Sequence, residues 1–238
     1  MVGKHSDRQK RRTGWVATTV VAVALLAVGA VWVLAKAASD VAGHVTEPTP
    51  SPGTTSPTDS RLAKAHRALA SCRSGVTQRE RLAEAAAVTA RDWKAHTDAQ
   101  RQLVRGTWSV AQAEAVWGKT KARGSQDTEQ FLSAAAKVRE GSGAADCGSV
   151  VADTASTPLA EKGTRCAARV KALGDVASTG AVLNAQWAAH VEMMANKAHT
   201  DHAAYHDRWV RMVAQAQVPL QRYAKASETL SKAPACSE

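Results

Sequence analysis

The densest collection of metal-binding side chains in this sequence lies near its C-terminal end. His190, Met193, Met194, His199, His202, His206 and Met212 fall close together, and every methionine except the initiator is among them. His202 and His206 are four apart, which on a helix sets two imidazoles one turn apart, where they can share a metal. A chain turn near Thr200 would bring Met193 and Met194 opposite His206. Thioether with imidazole suits copper, whereas His199, Asp201, His202 and His206 without sulfur suit zinc or nickel. Against this stands a plainer reading, in which the methionines fill the core and the histidines decorate an exposed helix start. Copper or zinc is thus the one cofactor these residues suggest, and the plainer reading needs none.

A second pattern is repeated. Cys72 is followed after twenty residues by Trp93, then His96 and Asp98; Cys166 is followed after twenty by Trp187, then His190 and Glu192. Trp117 precedes Phe131 by fourteen positions and Trp209 precedes Tyr223 by the same fourteen, and Cys147 and Cys236 close the two copies. Rare residues at repeated spacing imply an internal duplication, with one helical repeat over 59–150 and another over 155–238. Each Trp and His share a helix face at i and i+3. The expected role is structural: Trp93 and Trp187 fill an otherwise Ala-lined core, and His96 and His190 hydrogen-bond at its edge. The acidic residue two positions after each His points to the opposite side and cannot orient that imidazole. In the first copy Ala99, Gln100, Val110 and Glu114 stand where the second has Met193, Met194, His202 and His206, so the metal-binding set is not part of the repeat.

The elements that would position these groups are helices. Aromatic content is only 4%, and Ala, Arg, Lys, Gln and Glu dominate without any alternating strand pattern after the first forty residues. Each copy reads as two long helices joined by a short turn. The first helix runs to about Val104, breaks near Gly106 and is capped afresh by Ser109 with Gln112. Thr77 with Glu80 offers another cap after Gly75, where the helix could break. Pro158 suits a helix start, and Trp209 to Leu230 forms the last helix, kinked or restarted at Pro219. Glu80 and Glu84 read as a solvated face. Two stacked hairpins make a four-helix-bundle-like, all-α domain. Four cysteines allow three connectivities, and because the start of one helix lies beside the end of the next in antiparallel hairpins, the favoured one is Cys72 with Cys147 and Cys166 with Cys236. That connectivity alone gives both copies the same staple.

The N-terminus supplies an address. Residues 1–13 carry Lys4, Arg8, Lys10, Arg11 and Arg12 against Asp7 alone, and Gly14 to Ala35 is uncharged. At about 1.5 Å per residue this run can span a hydrocarbon core of roughly 30 Å. Trp15 and Trp32 flank it as interfacial anchors, and the basic side stays in the cytoplasm. The expectation is a basic tail (1–13), a transmembrane signal anchor (14–35), a Pro/Thr/Ser-rich spacer (36–58) and an extracytoplasmic domain. The rival is a signal peptide cleaved after Ala37, against which the length of the apolar run argues. The net charge of +10, partly the tail's, permits attraction to anionic envelope polymers or lipid. No basic run with interleaved aromatics points to nucleic acid.

No Gly-x-Ser-x-Gly elbow, His-Glu-x-x-His helix or Gly-rich phosphate loop occurs, so no enzyme class is indicated. The basic tail, single anchor, Pro/Thr/Ser spacer and repeated Trp-x2-His helices together resemble membrane-anchored or secreted helical proteins of actinobacteria. That resemblance implies a cell-envelope setting and carries over no functional residue. The resulting expectation is a non-catalytic, membrane-tethered extracytoplasmic module that contacts a protein or anionic envelope component. The alternative is a copper- or zinc-binding protein using the second hairpin.

Overall fold

Five helices and no strand make up the described residues, which in this computed structural model are 56–141, 147–153, 158–197 and 201–236. The tail, the anchor and nearly all of the spacer lie outside them. In order come α1 (Pro57–Val104), α2 (Val110–Glu140), the short α3 (Gly148–Asp153), α4 (Pro158–Ala195) and α5 (His202–Lys232). None of the described helices is long and apolar enough to cross a membrane.

Local chemistry sets most of the boundaries. Pro57 sits in the first turn of α1 and the Ser56 side chain accepts from the Thr58 N–H, so the helix begins two residues before Asp59. It ends where Gly106 adopts φ 71°, a left-handed conformation that costs glycine little. Ser109 and Gln112 then form a reciprocal capping box at the start of α2. Asp201 caps α5 by accepting from the Ala204 N–H at 2.9 Å.

Three expectations are corrected. α1 does not break at Gly75, because Gly75 and Val76 are buried and the Thr77 hydroxyl donates to the Arg73 carbonyl within the helix at 3.2 Å. α5 begins at His202, seven residues ahead of Trp209, and continues through Pro219. Glu80 is more than a solvated residue, since it pairs with Arg169 of α4 at 2.9 Å.

The core forms along a seam between α1 and α4. An added Cβ at Gly180 would sit 2.7 Å from the Ala86 Cβ, Trp93 packs on Trp187 with ring centroids 5.5 Å apart, and His96 meets His190 at 4.8 Å. In each pair the partners are ninety-four positions apart, so α1 and α4 run parallel and meet at matching positions. The small residues let the backbones approach, and the indoles, each 0% exposed, fill the space beyond. Burying an aromatic of this size dominates the energetics of a core with few others. α2 and α5 flank the seam and contribute Phe131, Trp209, Val213 and Tyr223. Arg101 of α1 also hydrogen-bonds to Gln217 of α5.

Candidate functional site

The two histidines expected at the edge of the bundle are instead buried in its interior. His96 and His190 are 3% and 2% exposed, with their Nε2 atoms 3.0 Å apart. They lie here because the parallel seam puts equivalent positions face to face, so a residue one turn beyond each tryptophan meets its own counterpart. The ring contacts are nearly symmetric: Trp93 lies 5.3 Å from His190 and Trp187 lies 5.2 Å from His96. Trp209 stacks on His190 at 4.3 Å.

The hydrogen bonds fix how the pair shares its protons. The Thr120 hydroxyl lies 2.9 Å from the Val116 carbonyl, the usual back-bond of a helical threonine. Its oxygen therefore accepts from His96 Nδ1–H at 2.6 Å. His96 Nε2 is then the acceptor for His190 Nε2–H, an assignment made from the network. His190 Nδ1 is left as a buried lone pair with no partner among the described residues. Met212, which cannot serve as a hydroxyl partner, stands ninety-two positions after Thr120, where the spacing of Trp117 and Trp209 is the same. Burial pushes both imidazoles down to about 3, helped at His190 by the nearby His96 and Arg208, so the pair is neutral at neutral pH.

Beside this pair, a polar cluster breaks the symmetry further. Asp92 binds Arg123 at 2.8 Å. Asp127 accepts from the Trp187 indole at 3.4 Å, and burial followed by the Asp92 charge pushes its carboxyl up. Thr89 contacts Asn184 at 3.3 Å. Gln186, which corresponds to Asp92 in the other copy, accepts from the Trp93 indole at 3.1 Å. These bonds satisfy both buried indoles and tie α1, α2 and α4 together.

Over the histidines opens a pocket of about 410 Å³, at the end of the bundle where both hairpins turn. α1 gives it His96, Gln100 and Leu103, and α2 gives Trp117, Gly118 and Lys121. α4 and the residues just after it give His190, Met194 and Lys197, and α5 gives Tyr205, His206 and Trp209. Gln100 accepts from the Trp209 indole at 2.8 Å, and Lys197 sits 5.5 Å over the Tyr205 ring, a cation–π arrangement. Burial pushes the Tyr205 phenol up. A larger furrow of about 550 Å³ along α4 and α5 holds Arg208 and Arg211. It takes residues from two helices only and does not reach the histidine pair, so the smaller pocket is the better site.

No known family, curated protein or solved structure matches this chain.

The residues proposed from sequence as metal ligands are divided by the fold. Met193 and Met194 are buried in the core, while His202 and His206 are exposed and His199 lies outside the described residues. His190, Met194 and His206 line the same pocket. Elsewhere among the described residues, the sulfurs of Cys72, Cys166 and Cys236 lie within 4.8 Å of one another. They are held in disulfides, Cys72 to Cys147 and Cys166 to Cys236, the two pairs that equal staples require. The bridges lie against each other with Leu69 and Val150. Sequence reasoning missed the pocket, although Gln100, Trp117 and Trp209 sit at equivalent or neighbouring repeat positions that pointed to one end of the bundle.

Proposed function

We propose that this chain is a non-catalytic, membrane-tethered extracytoplasmic module, built by duplication of a helical hairpin, that binds a small ligand in the pocket at its turn end. The observation that carries this reading is a cavity shared by all four long helices and floored by a neutral histidine pair. Concave sites of this volume, largely apolar with a few convergent polar groups, are where small molecules bind. The pair is poorly suited to acid–base work near neutrality, because its burial keeps it uncharged over the working range. The uncharged run over 14–35, the basic tail before it and the disulfides support an anchored domain on the oxidising side of a membrane.

Purification of the full-length protein from envelopes under native conditions, followed by mass spectrometry of released small molecules, tests the binding reading. Gly118 lines the pocket and has open space where a Cβ would stand, so Gly118→Leu adds a bulky side chain at the cavity wall with no clash at its Cβ. A species enriched in the wild type and absent from Gly118→Leu is expected; identical extracts from both overturn the reading. A reporter fused after Glu238 should act outside the cytoplasm, and its protection inside intact cells would remove the tether.

A second reading is copper or zinc binding, favoured by the presence of His190, Met194 and His206 around that same pocket. Calorimetry with each metal, compared with a Met194→Leu/His206→Ala variant, tests it directly. Equal binding by both proteins disposes of this reading.

A further inference from the structure

The chemistry around the pocket points to a class of ligand, and we infer that it takes an aromatic organic anion. This inference rests on the pocket being a binding site. None of the residues lining it is acidic, whereas Lys121 of α2 and Lys197 after α4 stand at its rim, both exposed. A metal cation would enter with no carboxylate to offset its charge. An anion would find two ammonium groups, in a concave site whose low-dielectric walls strengthen their field.

The walls specify the remainder of the ligand. Trp117 and Tyr205 are half-buried, so each offers part of a ring to the cavity, and Trp209 backs them. A flat aromatic body can stack on such faces in offset or edge-on geometry. The floor is a neutral imidazole pair, which accepts an apolar body without the desolvation cost of a buried charge. Lys197 lies over one part of the Tyr205 ring, so an ammonium group stands beside the aromatic wall where the anionic end of a ligand would sit.

The test uses 2-naphthoate and 2-naphthamide, which share one ring system and differ in charge. Each is titrated into full-length protein in nanodiscs, with empty nanodiscs subtracted and tryptophan emission as the signal. Naphthoate should bind at one site at least tenfold more tightly than naphthamide. Lys121→Gln/Lys197→Gln should erase most of that difference while still binding naphthamide, and Gly118→Leu should abolish binding of both with its circular dichroism unchanged. If naphthamide binds as tightly as naphthoate, or if the lysine variant keeps the full preference, the anion inference is overturned and the pocket survives as a site for neutral ligands. If neither compound binds, the inference is overturned, while release of another small molecule from the native protein would keep the pocket reading; if Gly118→Leu binds both normally, the compounds lie outside the pocket and the inference falls.

Discussion

At the scale of single residues, the histidine pair couples stability to pH. Both imidazoles titrate near 6.5 when exposed and about 3 when folded, so the unfolded chain binds more protons between those values. Stability is therefore complete above about 6.5 and falls as the pH drops toward 3. Linkage puts the loss at roughly 2 kcal/mol per histidine at pH 5. Urea titrations at pH 7 and 5 should show this drop in the wild type and a much flatter response in His96→Gln/His190→Gln. An equally steep drop in the variant would mean that other groups carry it. Thr120→Val should cost about 1 to 3 kcal/mol, because it leaves His96 Nδ1 buried without its partner; a neutral effect in thermal melts would refute the energetic role of this hydrogen bond. The Trp-x2-His repeat was legible in the sequence, as was the burial of both tryptophans. The contact between the histidines was not, because a repeat states equivalence and leaves open whether equivalent residues meet across an axis.

At the scale of helices, close approach and open space make opposite predictions for glycine. At Gly124 an added Cβ would lie 2.5 Å from Val191 Cγ2 and 3.0 Å from Trp187 Cζ2. Gly124→Ala should therefore destabilise, by about 1 to 3 kcal/mol for overpacking. At Gly118 the same substitution meets no neighbour and should stabilise α2 by up to about 1 kcal/mol through helix propensity. Thermal unfolding of the two variants should move in opposite directions, and a shared sign would contradict the packing between α2 and α4. Helix ends were readable wherever a cap or a special backbone angle enforced them, as at Ser109, Gly106 and Pro158. The Thr77–Glu80 signal misled because burial of Gly75 and Val76 outweighs a local cap. The early start of α5 was hidden because the residues from His202 to His206 carry no apolar stripe and Asp201 read as a metal ligand. The short α3 has too few residues to show a period at all.

At the scale of the whole molecule, the two specialised regions are at opposite ends. The disulfides join the start of each hairpin to its close, and the pocket lies where the hairpins turn. Cys72 and His96 are twenty-four residues apart on α1, which at 1.5 Å per residue is about 36 Å, with the tryptophan core between them. Bridges spanning separations of 75 and 70 residues restrict the unfolded chain by about 4 kcal/mol each in loop-closure entropy, and commonly deliver 2 to 4. Cys72→Ser/Cys147→Ser should therefore lower the unfolding free energy extrapolated from urea titrations by about 2 to 4 kcal/mol. Its naphthoate affinity should stay within about twofold of the wild type, because the bridge acts on the unfolded chain and the folded seam still holds the pocket residues in place. The second bridge packs against the first, so removing both should cost an amount other than the sum of the single losses, as expected of groups in contact. If opening one bridge instead weakens naphthoate tenfold while the protein remains folded, the two ends communicate along α1 and α4. The seam would then have to be treated as a lever between them, with the disulfides part of the binding machinery.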